Sequence, residues 1–160
     1  MKEILKILEK DARLTAQQIA VMTGNTEAAV ENIISEAEKD RVILRYKTVV
    51  DWEKLGEELV WALVEVKVTP QRDVGFDAIA ARIYRFPEAR SVYLVSGGFD
   101  LAVIVEGRTM REVAAFISEK LAPLDGVQGT TTHFLLKRYK EDGQVFIDGG
   151  EDHKRLAVSP

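Results

Sequence analysis

VYLVSGGFDLAVIVEG, residues 92–107, is the stretch whose reading decides the fold. Runs rich in β-branched and aromatic residues flank Ser96-Gly97-Gly98-Phe99-Asp100. The stretch therefore reads as a hairpin: a strand over 91–95, a turn built on glycine backbone, and a nearly continuous apolar strand over 101–105.

Working outward, Thr109 is the expected N-cap of a helix whose apolar stripe is Met110, Val113, Phe116, Ile117 and Leu121. Pro123, Asp125 and Gly126 close it, and a strand over 128–136 follows. There Thr130, Thr132 and Phe134 share one face, and Thr131, His133 and Leu135 the other. Upstream of the hairpin, Phe76, Ile79, Ala80 and Ile83 predict a helix that Phe86-Pro87 stops. Before it, residues 59–68 set Glu65 and Lys67 against Val64, Val66 and Val68, a strand that Pro70 ends. The order is βαββαβ, a ferredoxin-like unit with both helices on one sheet face. Val64, Val103 and Leu135 lie on apolar strands, so the second face is expected to meet another subunit.

Near Trp52 the period changes from two to 3.6 as one reads toward the amino terminus. Ile4, Leu5, Leu8 and Ala12 predict a first helix ending near Arg13-Leu14. Thr15 caps a second over 16–22, Gly24-Asn25 turns the chain, and Thr26 caps a third whose stripe is Val30, Ile33, Ile34 and Ala37, reaching about Asp40. Two short helices around a tight turn are a helix-turn-helix, in which the later helix enters the major groove. Residues 42–44 and 48–50 predict a two-stranded wing with Arg45, Tyr46 and Lys47 near its tip. Candidate groove contacts are Thr26, Ala28, Ala29 and Asn32, with Asn32 suited to a bidentate contact with adenine. Arg13, Arg41, Arg45 and Lys47 are candidates for phosphates.

Charge sets limits on this reading. The 160 residues carry a net charge of −4, and residues 1–50 hold eight basic against eight acidic side chains. Glu27, Glu31, Glu36, Glu38 and Asp40 face a single Lys39 along the third helix, so a lone module binds phosphate weakly and needs several subunits on one DNA. There is no cysteine, and His133 and His153 stand twenty residues apart, so no metal or thiol chemistry is expected. No nucleophile with a spaced base and no phosphate-binding glycine loop occurs, so neither catalytic residues nor a cofactor are expected. Arg82, Arg85 and Arg90 cluster about Phe86-Pro87 as a solvated helix end. No apolar run approaches the length of a membrane span, and Met1-Lys2-Glu3 opens directly into an amphipathic pattern, so a cytoplasmic location is expected.

The order of pieces resembles the Lrp/AsnC, or feast/famine, family of transcription regulators over roughly residues 1–140. The matching stretches are ILKILEKDARLT (4–15), Gln18-Ile19-Ala20, VILRYKTVVDWEKLG (42–56) and above all the hairpin 92–107. The resemblance implies a regulator-of-amino-acid-metabolism (RAM) domain whose glycine-aspartate turn lines an effector site between dimers. By position, Gly97, Gly98 and Asp100 would line it, with Thr130 and Thr132 on the last strand. It also implies homodimers that assemble into tetramers or octamers. One departure is plain: Ile33 and Ile34 stand where the family's reading helix commonly carries basic residues.

The expected protein is thus α+β, a winged helix-turn-helix over 1–50, a linker over 51–58, a ferredoxin-like effector and assembly domain over 59–140, and a polar extension over 141–160 that Val145, Phe146 and Ile147 could anchor. The expected function is a regulator that binds double-stranded DNA and an amino acid or related metabolite. The alternatives are an oligomeric metabolite-binding protein that has lost DNA binding, and, given some Lrp/AsnC-like pairs, an enzyme acting on tetrapyrroles.

Overall fold

The structure, a computed structural model, describes residues 1–69 and 75–146. The chain divides into two compact units between Val50 and Asp51. Pro70, expected to end a strand, lies outside the described residues, as do Ile147 and His153.

The first unit holds three helices, α1 (Lys2–Lys10), α2 (Ala16–Thr23) and α3 (Glu27–Lys39). A reciprocal cap opens α2: the Thr15 hydroxyl accepts from the Gln18 N–H at 3.2 Å, and the Gln18 side chain accepts from the Thr15 N–H at 2.9 Å. Gly24, at φ 67°, takes the left-handed turn that ends α2. Thr26 then opens α3, its hydroxyl accepting from the Ala29 N–H at 3.3 Å. Ile4, Leu8, Ile19, Ala20 and Val30 form the core, with Ile33, Ile34 and Ile43 packed against it.

Two expectations fail here. Ala12 is exposed beyond the end of α1, because Asp11 turns extended and its carboxylate accepts from the Arg13 N–H at 2.9 Å, a local bond that competes with another helical turn. The wing strands over 42–44 and 48–50 do not pair. Arg41 adopts φ 57°, and the N–H groups of Val42 and Ile43 both donate to the Ala37 carbonyl, at 2.8 and 3.0 Å, as part of the end of α3. Val42 and Leu44 are 60% and 76% exposed, so no second layer repays the ordering of an isolated hairpin. Instead the Tyr46 hydroxyl donates to Glu38 at 2.8 Å, tying this segment back to α3. Desolvation, with the Glu38 hydrogen bond and charge, pushes the Tyr46 phenol up from its ordinary range.

After a short 3₁₀ turn at Glu53–Leu55, the second unit runs β1 (Val60–Val68), α4 (Asp77–Ile83), β2 (Ala89–Leu94), β3 (Leu101–Gly107), α5 (Met110–Phe116) and β4 (Val127–Leu135). The sheet order is β2-β3-β1-β4, antiparallel throughout. Ala62, Val64, Val66, Val68, Leu101, Val103 and Val105 point toward Ile79 and Ile83 of α4 and Val113 and Phe116 of α5. Val64 and Val103, both fully buried, therefore belong to the helix-covered face. They do not mark the second face, as the sequence had suggested, because strand hydrophobicity alone does not say which side a residue faces. The open face carries Trp61, Leu63, Glu65, Tyr93, Ile104, His133 and Leu135. On it His133 lies 3.1 Å from Glu65 and Arg90 lies 3.3 Å from Glu106.

The second domain helix is not one regular element. Met110 is 57% exposed, and beyond Phe116 the chain widens into a π turn at Ile117–Leu121, closed by the Ala122 N–H on the Ile117 carbonyl at 2.8 Å. The extra residue lets Phe116, Ile117 and Leu121 all reach the core. Lys120 on this turn reaches Glu88 at 2.5 Å beside Phe86 and Phe116, whose rings meet edge to face at 5.5 Å. That hydrogen bond holds the Glu88 carboxyl below its ordinary range against the opposing effect of burial. The described part of the carboxyl-terminal extension is a small hairpin, β5 (Lys140–Glu141) and β6 (Gln144–Val145). Asp142 and Gly143 turn it with φ 47° and 79°, the type I′ arrangement. Arg138 stacks on Phe146 at 3.8 Å and pairs with Glu141 at 2.7 Å.

Two predictions follow from this packing. Gly126 sits at φ 91°, and a Cβ there would lie 2.6 Å from Ile79 Cδ1, itself buried. Gly126→Ala should cost about 1–3 kcal/mol and lower the melting temperature, whereas Gly129→Ala, with nothing within 4 Å of the added carbon, should change it little. A Tm unchanged in both would contradict the packing. Because the Glu88 pKa is lowered by folding, its contribution is present above the unfolded carboxyl pKa and is lost as pH falls through the folded value. Glu88→Gln should therefore flatten part of the acid limb of the stability profile while leaving its slope near neutral pH unchanged.

Candidate functional site

Two constellations emerge from this frame. The first is α3. Each residue advances about 100° around a helix, so the side opposite Val30, Ile33, Ile34 and Ala37 is formed by Ala28, Asn32, Ser35 and Lys39. All four are exposed. Of the expected groove contacts, Asn32 lies on this outward side, Thr26 sits at the helix start with its oxygen committed to the cap, and Ala29 is half-buried toward the core. Arg13, Arg41, Arg45 and Lys47 are exposed, Arg13 before α2 and the other three after α3. The reading from sequence missed Ser35 and Lys39. Carrying the 3.6-residue period of Ala28 and Asn32 forward would have found them.

The acids of α3 are not spread evenly. Glu27, Glu31 and Glu38 fall along one edge, and Glu36 falls on the other. Glu38 on the crowded edge accepts the Tyr46 hydroxyl. Between these edges runs a strip without a carboxylate.

The second constellation is the β2–β3 turn. The Val95 N–H donates to the Asp100 carbonyl at 2.9 Å and closes the turn. Asp100 then crosses to the central strand: its N–H donates to the Val66 carbonyl at 3.1 Å, and its carboxylate accepts from the Val68 N–H at 2.9 Å. One carboxylate oxygen thus serves the fold, and the other makes no hydrogen bond among the described residues. Gly97 and Gly98 are exposed, and a Cβ on either would meet nothing within 4 Å. Thr130 pairs with Val66 and Thr132 with Val64 on the other side of β1. Asp100 and Thr130 consequently stand at the same end of the sheet, separated by two strand spacings of about 5 Å each, with Thr132 farther in.

Other places offer less chemistry. A cleft of about 360 Å³ beside α5 is lined by Glu88, Glu106, Arg108, Glu112 and Lys120 and contains none of the five expected effector residues. Two ion pairs lie along it, Lys120 with Glu88 and Arg108 with Glu112. Among the described residues no group of three His, Asp or Glu side chains converges on a point that could hold a metal ion. No described helix is long and apolar enough to cross a membrane.

Comparison with known proteins identifies both domains. Residues 1–43 match the winged helix-turn-helix DNA-binding family, and residues 61–145 match the Lrp/AsnC ligand binding domain. The uncharacterized HTH-type transcriptional regulator YugG of Bacillus subtilis is 52% identical over 159 residues, spanning 99% of this chain and 95% of its own. The HTH-type transcriptional regulator FL11 of Pyrococcus furiosus is 29% identical over 144 residues, 90% of this chain and 92% of its own. Among solved structures, a feast or famine regulatory protein of M. tuberculosis complexed with L-methionine superposes with a TM-score of 0.72 at 22% identity, covering 89% of this chain and 94% of that one. Escherichia coli AsnC superposes at 0.68 with 18% identity, covering 88% and 92%. With both its domains matched and a relative this similar along nearly its whole length, the chain belongs to the Lrp/AsnC family of DNA-binding transcriptional regulators with a ligand-binding domain.

Proposed function

We propose that this regulator binds operator DNA through α3 and the basic residues around it, and senses an amino acid or related metabolite at the β2–β3 turn. The single observation that carries the proposal is the geometry of that turn. Two open glycines expose backbone, and Asp100 is held in place through one oxygen while the other stays available for an ammonium group. The L-methionine bound to the M. tuberculosis and Neisseria meningitidis relatives supports the ligand class. Gly97, Gly98 and Asp100 line the site, and Thr130 and Thr132 offer hydroxyls from β4 at the same end of the sheet. On the DNA side, Asn32 approaches the groove with Thr26 at the helix start, Ala29 being turned toward the core, while Arg13, Arg41, Arg45 and Lys47 approach phosphates.

The working particle is a homodimer that assembles further into a tetramer or octamer, with the effector between dimers. The open sheet face supports this, since Trp61, Leu63, Ile104 and Leu135 would otherwise meet water. Assembly also answers the charge problem of α3, because several weak modules on one DNA gain avidity that one lacks. The protein acts in the cytoplasm and performs no chemistry on its ligand; the ligand shifts assembly by preferring one form over another.

The test has two arms. In gel-shift titrations on DNA from upstream of its own gene, the full chain should give a retarded band that weakens with salt. Arg41→Ala and Arg45→Ala should each reduce the salt slope by about one. No retarded band at low salt would favour the metabolite-binding alternative. In the second arm, a panel of amino acids is screened for changes in melting temperature and particle size. A ligand at a hundred times its Kd should stabilise by about 2.7 kcal/mol. Asp100→Asn keeps an acceptor for Val68 and should fold, yet lose most of this ligand response; Asp100→Ala should also destabilise the free protein by about 1–3 kcal/mol. An amino-acid panel that moves neither readout defeats the sensing proposal.

A further inference from the structure

We infer that the outward face of α3 reads A·T base pairs directly, with Asn32 as the bidentate partner of an adenine and Ala28 as the methyl contact to a thymine. The inference rests on the DNA-binding reading above and adds the base chemistry of the operator to it. Which side chains can reach a base edge is decided by the packing of α3. Val30 and Ala37 are buried and Ile33 and Ile34 pack on the core, which turns Ala28, Asn32 and Ser35 outward in the first turns of the helix. Base edges in the major groove are read chiefly from that end of a reading helix.

The composition of this strip restricts what it recognises. Guanine shows two acceptors, O6 and N7, and is ordinarily read by arginine or lysine. Neither occurs anywhere in α2, and in α3 the sole basic residue is Lys39, at its last position. Adenine shows N7 as acceptor and N6 as donor, which matches the donor and acceptor of one carboxamide. The Asn32 amide is exposed and makes no hydrogen bond among the described residues, so it is available for both. Ala28 lies one turn before it, about 6 Å along the axis. That is less than two base-pair steps of about 3.4 Å, so its methyl can face a thymine C5-methyl within a step or two of the adenine.

Glu31 is the competing reader, since a carboxylate accepts from cytosine N4. It stands about 100° around the helix from Asn32, on the acidic edge with Glu27 and Glu38. On that edge it borders the strip, three residues after Ala28 and four before Ser35, so a cytosine contact by Glu31 is the rival outcome that the experiment reads.

The experiment selects binding duplexes from a randomised pool with the full chain and measures affinities by anisotropy. The selected core should contain A·T pairs at the protected major-groove positions. Replacing the read adenine by 7-deazaadenine, or the read thymine by uracil, should weaken binding about tenfold or more for the first and severalfold for the second. Asn32→Ala should lose about tenfold on the selected duplex, keep its affinity for unselected duplex, and become indifferent to 7-deazaadenine. Ala28→Gly, which removes the contacting methyl, should become indifferent to uracil. A G·C core, no effect of either analogue, an equal loss on all duplexes in Asn32→Ala, or a cytosine preference that disappears in Glu31→Gln would each overturn the inference. If DNA is bound without an A·T signature, this inference alone falls; if no duplex is bound at all, the DNA-binding reading falls with it.

Discussion

The pair of hydrogen bonds that joins Asp100 to the end of β1 is the constraint on which the ligand-binding unit depends. β1 lies inside the sheet, between β3 and β4, and it supplies the middle of the core. A four-residue turn leading into β3 could flex independently of the sheet. Here the first residue after that turn donates to Val66 and accepts from Val68, so the loop moves with the central strand or not at all. Its base is rigid and its tip, with two glycines and no neighbours, is open. Such a division suits a site in which binding must be transmitted to packing, because an entirely loose loop absorbs ligand energy without passing it on.

Much of this was legible in the sequence wherever a local rule and the tertiary structure agree. Thr15, Thr26 and Thr109 all cap the helices they were expected to cap, and the order βαββαβ follows from the change of period on either side of the Gly97-Gly98 turn. The failures have physical causes. The wing needed a surface to pack on, and the donors of Val42 and Ile43 were already used to end α3. Val64 and Val103 were read as partner-facing because alternation identifies two faces without saying which is covered. The π turn depends on how Ile117 and Leu121 meet the sheet, which no single-period pattern expresses. The hairpin at Asp142-Gly143 has a signal in the Asp-Gly pair itself, but Glu141 and Gln144 beside it lack the β-branched or aromatic character that marks a strand.

The candidate sites were legible to a lesser degree. Asn32 could be singled out by its chemistry, and the separation of the acids into edges that spare Ala28, Asn32 and Ser35 follows from the helical period once Val30, Ile33, Ile34 and Ala37 are taken as its core side. Likewise, Asp100 could be read as a charge near glycines. That one of its oxygens is structural could not, since Val68 lies 32 residues away in sequence. The net charge of α3 is therefore a poor guide to its reading surface. What matters is where the carboxylates stand around the axis, and one of them, Glu38, is occupied by Tyr46.

The open sheet face offers a last consequence, one of symmetry. A surface that docks on a copy of itself about a twofold axis brings residues near that axis opposite their own counterparts, so any unpaired charge there meets its like. On this face two polar contacts lie within the subunit, His133 with Glu65 and Arg90 with Glu106. Two copies meeting about such an axis would bring hydrogen-bonded carboxylates together in place of bare ones, with Trp61, Leu63 and Ile104 around them. For a copy related by rotation, those internal contacts would soften the meeting of like charges near the axis.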